Sequence, residues 1–346
     1  MQPAFVVRFF PSGPWRMGPD SGARDRVESI LHSDALYSAV CAAMARLGFL
    51  EEWLAATFEN PAGPAVRFSS GYPFQNEVLF VVPPRSLWPP VPSLKVRWKG
   101  ARFLPLSVVE ALLANQPLNE ERWRVDGLSQ CLVPAEWGQG PFRPAIRSCA
   151  AVDRLSGNVV AHRTACQEFS PGSGMWAVGA YADEESQTRW AGPVQAALRL
   201  LADSGLGGDR SRGWGRSSAP EFREGVLPEI LLRGNPGSAA EVDGEPLPAP
   251  ETAYWLLSLF TPATGDSVDW DRGNYSLVTR GGRVESPAAA GALKKLSRMV
   301  AEGSVIFTGA PPAGAGHDVA PEGFPHSVYR AGFALALPIP WREAPR

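Results

Sequence analysis

The sequence is short of the residues that build covalent or metallic frameworks. Its 346 residues include only 4 Cys and 4 His. Cys41, Cys131, Cys149 and Cys166 are scattered, with no Cys-x-x-Cys pair, and do not read as a disulfide framework. His32, His162, His317 and His326 stand at no zinc-ligand spacing with them. No metal or other cofactor is expected. No apolar run approaches the roughly 18 residues that a membrane-crossing helix needs. The opening, MQPAFVVRFFPSGPW, has a brief apolar run interrupted by Arg8, which argues against a secretory signal. The expectation is a soluble protein of a reducing, cytoplasmic compartment, without a membrane partner. An excess of either charge is missing too: Lys plus Arg number 33 and Asp plus Glu 35, for a formal net charge of −2. A free-standing, non-specific nucleic-acid binder is usually more basic, so any such site here must be local or completed by partner chains.

Glycine (35), proline (34) and tryptophan (12) are plentiful. Gly and Pro together punctuate the chain heavily, yet hydrophobic residues at 45% and charged residues at 20% fit a folded globular protein. At roughly 150 residues per domain, the length suggests about two domains. Residues 4–10, AFVVRFF, read as a strand. A loop rich in Gly, Pro, Arg and Asp follows from Pro11 to about Glu28. His32-Ser33-Asp34 then precedes Leu36, Val40, Ala43, Met44 and Leu47, an apolar stripe at helical spacing. Ser33 suits the N-cap and Gly48 the stop. Val78–Val82 and Lys95–Trp98 read as strands between proline pairs. Arg143–Glu168 reads as a long hairpin turning at Ser156-Gly157-Asn158. Gly192-Pro193 opens a helix with Val194, Ala197, Leu198 and Leu201 on one face, with Pro193 at its first position. Residues 233–252 are polar, Gly/Pro-rich and aperiodic, the best domain boundary. They divide an N-terminal domain over 1–232 from a C-terminal one over 253–346. A strand at Tyr254–Phe260 begins the second block. Val328–Ile339 reads as a closing strand, whereas Gly291–Glu302 reads locally as a helix.

Three places carry charge or chemistry. The run Gly205-Leu206-Gly207-Gly208-Asp209-Arg210-Ser211-Arg212-Gly213-Trp214-Gly215-Arg216 follows a helix and precedes a strand. Its glycines permit positive φ, successive N–H groups can form an anion nest, and Arg210, Arg212 and Arg216 can bind phosphate. It is not a Walker A loop, because Trp214 rather than Lys-Ser/Thr follows Gly213, and no strand precedes it as a dinucleotide fingerprint demands. The plainer alternative is a helix-to-strand turn with solvated arginines. Arg143, Arg147, Arg154 and Arg163 make the hairpin basic, opposed within 141–166 only by Asp153. A solvated surface hairpin is again the plainer alternative. His32 is the one candidate general base for attack by a ribose hydroxyl, or it packs locally. Asp20, Asp25 and Glu28 have no diagnostic metal spacing and read as a polar loop.

Several stretches resemble a known family: HSDALYSAV (32–40), GYPF (71–74), FLPLS (103–107), AAVDRLSG (150–157), GLGGDRSRGWG (205–215), YWLLSLF (254–260), EGSVI (302–306) and HSVYRAGFALALPI (326–339). In this order they look like a RAMP-superfamily subunit of a type III-A (Csm) CRISPR effector complex, the antiviral subunit that binds the 5′ tag of the guide RNA. The resemblance implies an α+β chain of two tandem ferredoxin-like (RRM-like) domains with a glycine-rich loop and a projecting β-hairpin thumb. It makes the strand the preferred reading of 291–302. It implies a non-catalytic RNA-binding subunit that anchors the crRNA tag and bridges the large polymerase-like subunit to the backbone RAMP subunits, near target RNA. The implied RNA-binding residues are His32, Ser33, Arg147, Arg154, Gly207, Gly208, Arg210, Ser211, Arg212 and Gly213. Two alternatives remain: an endoribonuclease of the same superfamily using His32 as base, and a nucleotide-binding enzyme using the glycine loop.

Overall fold

The computed structural model describes residues 1–19, 21–89, 98–233, 252–284, 286 and 291–341, together with the short strand pairs at 241–242 and 245–246. The segment expected as strand at Lys95–Trp98 therefore lies almost wholly outside the described residues, as does most of the 233–252 boundary.

The N-terminal part contains β1 (Gln2–Phe9), α1 (Ser33–Leu47), α2 (Leu50–Thr57), β2 (Val66–Phe68), β3 (Tyr72–Gln75), β4 (Val78–Val81), β5 (Leu104–Pro105) and α3 (Leu106–Leu113). It continues through β6 (Trp123–Asp126), β7 (Cys131–Pro134), β8 (Phe142–Val152), β9 (Val159–Phe169), β10 (Ser173–Tyr181), α4 (Glu184–Ser204) and β11 (Glu221–Leu227). One antiparallel sheet runs in the order β11-β1-β10-β3-β4-β5, with β2 also on β10. Its framework strands β1, β3, β10 and β11 lie as fourth, first, third and second. Alternation fixes the faces of β1. Phe5, Val7 and Phe9 turn toward Leu36, Val40, Val194 and Leu198 of α1 and α4, while Ala4 and Val6 turn toward Trp176, Phe80 and α3.

The C-terminal part follows the short pair β12 (Glu241–Val242) and β13 (Glu245–Pro246). It comprises β14 (Thr252–Leu256), β15 (Val268–Asn274), β16 (Leu277–Arg280), β17 (Ser297–Val300), β18 (Val305–Thr308), β19 (Gly314–Asp318), β20 (Tyr329–Phe333) and β21 (Ala336–Pro340). Its sheet is β15-β18-β14-β21, again antiparallel. From β21 inward this repeats the fourth-first-third-second order. Among the described residues no helix joins these strands; β16–β17 and β19–β20 form two-stranded ribbons instead. Ser297–Val300 is a strand, as the resemblance implied, not the helix that local pattern suggested.

The two sheets share one core. Trp255, Leu257, Leu335, Leu337 and Ile339 pack in the same cluster as Phe80, Val81 and Trp176. Hydrogen bonds cross with them: Tyr72 Oη donates to Leu257 O at 2.6 Å and Trp255 Nε1 to Val82 O at 3.2 Å.

Two helix starts differ from the sequence reading. The residue capping α1 is His32, not Ser33, and its side chain makes no capping bond. α4 begins at Glu184, so Pro193 lies in its interior rather than at its first position. The helix starts early because Asp183 accepts from Ser186 N at 2.7 Å and Trp190 is buried edge-on against Trp53, 5.2 Å between rings. Together these outweigh the one backbone bond that a proline forfeits. No described helix is long and apolar enough to cross a membrane.

Candidate nucleic-acid interface

The glycine-rich run is folded against the first loop. Gly207 has φ +86° and pairs with Arg16; a Cβ there would lie 2.4 Å from the Arg16 carbonyl oxygen. Gly208 N donates to that carbonyl at 2.8 Å, Arg212 N to Asp209 O at 2.9 Å and Gly213 N to Arg210 O at 2.9 Å. These amides are thus already satisfied within the protein, so the expected open nest of N–H groups is closed at Gly208, Arg212 and Gly213. The turn's short helical segment, Arg210–Arg212, instead presents side chains: Ser211, Arg212 and Arg216 are exposed and Arg210 half-buried.

The hairpin is a ribbon of β8 and β9 in continuous register from Phe142↔Phe169 to Val152↔Val159. Its tip turns on Asp153, whose carboxylate accepts from Leu155 N and the Ser156 hydroxyl, and Arg154 stands exposed beside it. Glu168, two residues past the window counted in the sequence, corrects the charge balance. Its carboxylate takes both Arg143 (3.0 Å) and Arg147. Arg147 nonetheless remains half exposed.

Ribbon and glycine loop meet through Arg212. Its guanidinium contacts Cys149 Sγ at 3.5 Å and donates to His162 Nε2 at 3.3 Å, and those two residues face each other across the ribbon. The first loop closes the assembly. Trp15 and Gln167 exchange backbone hydrogen bonds at 3.0 and 2.7 Å, and the buried Trp15 indole donates to Arg216 O at 3.2 Å. Arg16 and Gln167 are not singled out by the sequence reading.

His32 and Ser33 sit elsewhere, at the junction of the two sheets. His32 is 8% exposed, and its Nδ1 lies 2.8 Å from Glu302 Oε1. The Ser70 hydroxyl donates to the same oxygen. Ser33 N donates to Ser70 Oγ at 2.9 Å, and Ser33 Oγ accepts from Leu259 N at 3.0 Å. One residue on, Asp34 is ion-paired with Arg280 at 3.0 Å and Arg330 at 3.7 Å. The start of α1, where the resemblance implied a phosphate contact at His32 and Ser33, is buried and carries the Asp34 carboxylate.

Burial alone would raise the Glu302 carboxyl. The His32 charge and the hydrogen bonds from His32 and Ser70 outweigh it and lower it from 4.5 to about 2. A carboxyl held low when folded stabilises above its unfolded value and loses that contribution as pH falls toward the folded one. Unfolding in urea should therefore show stability declining from about pH 4.5 to pH 2. Glu302→Gln should flatten that decline; an unaltered acid limb in the variant would remove Glu302 from the account. Among the described residues, no group of three or more His, Cys, Asp or Glu is placed to hold a metal.

The arrangement has known counterparts. A chain from the crystal structure of a Csm1–Csm4 cassette in complex with cA4 superposes with a TM-score of 0.56 at 18% identity, over 99% of each chain. A chain from the crystal structure of a Csm3–Csm4 subcomplex in the type III-A CRISPR-Cas interference complex gives 0.63 at 16% identity, over 99% of this chain and 100% of that one. The fold is thus that of subunits from type III-A CRISPR effector complexes. Residues 250–339 match the family described as the CRISPR Csm4 C-terminal domain. Over residues 250–339 the chain is thus similar to Csm4 C-terminal domains, and its fold is like that of chains in Csm4-containing complexes, in agreement with the family resemblance read from the sequence. No curated protein matches it.

Proposed function

We propose that this chain is a non-catalytic, RNA-holding subunit of a type III-A Csm effector complex. In this reading it anchors the 5′ tag of the crRNA and bridges a large Csm1-type subunit to a Csm3-type backbone subunit. Residues 1–232 and 253–346 form two tandem ferredoxin-like domains, a reading supported by the fourth-first-third-second order in both sheets. The observation that carries the proposal is the contact of Arg212 with the ribbon at Cys149 and His162. It joins the loop's Arg210, Ser211 and Arg212 to Arg147 and, toward the tip, Arg154. Such a surface suits phosphates of a single strand, because guanidinium groups give charge-assisted bonds that need no base sequence. The ribbon serves as the thumb. Gly207, Gly208 and Gly213 shape the loop that presents the arginines. His32 and Ser33 belong to the domain junction in this reading, since His32 is committed to a buried carboxylate rather than to proton abstraction.

The test is Arg210→Ala combined with Arg212→Ala. Tag-RNA binding should weaken, and the slope of log affinity against log salt should flatten by about 1 for each phosphate no longer held. Unchanged retention and slope would remove the loop from the RNA site. Incubation with repeat RNA checks the catalytic alternative: scission by the native protein that His32→Ala abolishes would replace this reading.

A further inference from the structure

The ribbon's two faces are used differently. Register places Arg147, Cys149 and His162 on the face that meets the glycine loop. On the opposite face stand Pro144, Ile146 and Ala165, with Arg163 one step nearer the tip. Between that face and the first loop lies a groove of about 520 Å³. It is a built feature: Ala165 N donates to Arg24 O at 2.7 Å and Gln167 Nε2 to Glu28 O at 2.9 Å, pinning the loop on the ribbon. The groove's walls are apolar at Pro144, Ile146, Ala165 and Val27, and polar at Asp25, Glu28 and Arg26. Ile146 is 58% exposed here, although it stands at the ribbon's root and not at its tip.

Apolar walls with two acidic residues and one arginine among them set this groove apart from the arginine-bearing face across the ribbon. Carboxylates repel phosphate, so the backbone of a strand would not lie in it. They accept hydrogen bonds from the amino and imino groups on a base edge. Unstacked bases of single-stranded RNA are recognised in this manner, held between side-chain faces and bonded along their edges. We propose that this groove receives one splayed nucleobase of the bound RNA and selects for a base that presents N–H groups. Guanine fits best, because its N1–H and N2–H groups can both donate to one carboxylate. Uracil fits worst, because its single N3–H lies between two carbonyl oxygens that a carboxylate repels. Arg26, exposed on the first loop, lines the groove where the sugar-phosphate of that nucleotide would pass. The proposal rests on the RNA-holding reading above and adds a base preference to it.

The test measures binding of the full chain, at low ionic strength, to a short oligouridylate and to strands carrying a single guanosine at each position in turn. One position should strengthen binding about tenfold, the size of a good two-bond contact to a base edge. Asp25→Asn combined with Glu28→Gln should remove that gain, as should Ile146→Asp on the exposed wall. If the native chain binds the strands but prefers no position, the groove does not read a base and the inference fails alone. A guanosine preference that survives in both variants overturns it as well. If the native chain binds none of the strands, the RNA-holding reading itself falls and takes the groove with it.

Discussion

Asp34→Ala is expected to cost about 3–5 kcal/mol of folding free energy, the range found when one member of a buried ion pair is removed. Asp34 stands between two buried guanidinium groups, Arg280 at 3.0 Å and Arg330 at 3.7 Å, with side-chain exposures of 10% and 4%. Arg280 donates through both Nε and a terminal nitrogen, a two-point grip that fixes its orientation. Arg330 also donates to the carbonyls of Arg280 and Gly281, so it is held in place when the carboxylate goes. Truncation leaves two cations out of water and facing each other. It also removes the acidic group from the first turn of α1, where the helix dipole favours it. Urea midpoints measured on Asp34→Ala and Asp34→Asn decide the matter. The asparagine variant keeps acceptor geometry without charge and should lie between the alanine variant and the native protein. A midpoint for Asp34→Ala within error of native would mean that the cluster contributes nothing net.

Trp15→Ala is expected to cost about 3–5 kcal/mol, the range for emptying a buried tryptophan site. Trp15 is fully buried and packs edge-on against Phe169, 5.9 Å between ring centroids. Its indole donates to Arg216 O, and its backbone pairs with Gln167. One side chain thus ties the first loop to both the ribbon and the glycine turn. The destabilisation should be accompanied by faster hydrogen exchange at Gln167 and Ala165, because both amides bond to the first loop. Trp15→Phe, which keeps packing but not the indole donor, should recover most of the stability. If alanine lowers the midpoint without accelerating exchange at those two amides, Trp15 is core alone and does not position the ribbon.

What can be read beforehand divides by the range of the interaction that decides it. The ribbon is legible because both strands and the turn are contiguous in sequence. The α1 stripe is legible because 3.6-residue spacing is local. The start of α4 is misread because Pro193 is a strong local signal, while Trp190 acts through Trp53, far away in the chain. The glycine loop stands out for its φ freedom, yet the Gly208 amide is taken by Arg16 O, a partner almost two hundred residues earlier that no local pattern reveals. His32 shows the same limit: a histidine before a helix looks available until Glu302 is placed beside it. The ribbon's net charge is misjudged for a simpler reason, since Glu168 pairs with arginines by strand register rather than by sequence neighbourhood.

The shared core has a consequence for how the protein comes into being. Trp176 and Phe80, on the first sheet, are sealed partly by Leu335, Leu337 and Ile339. A nascent chain released from the ribosome only as far as β11 would leave that greasy flank wet. Completion of that core must await synthesis of β21, the strand that carries Leu337 and Ile339.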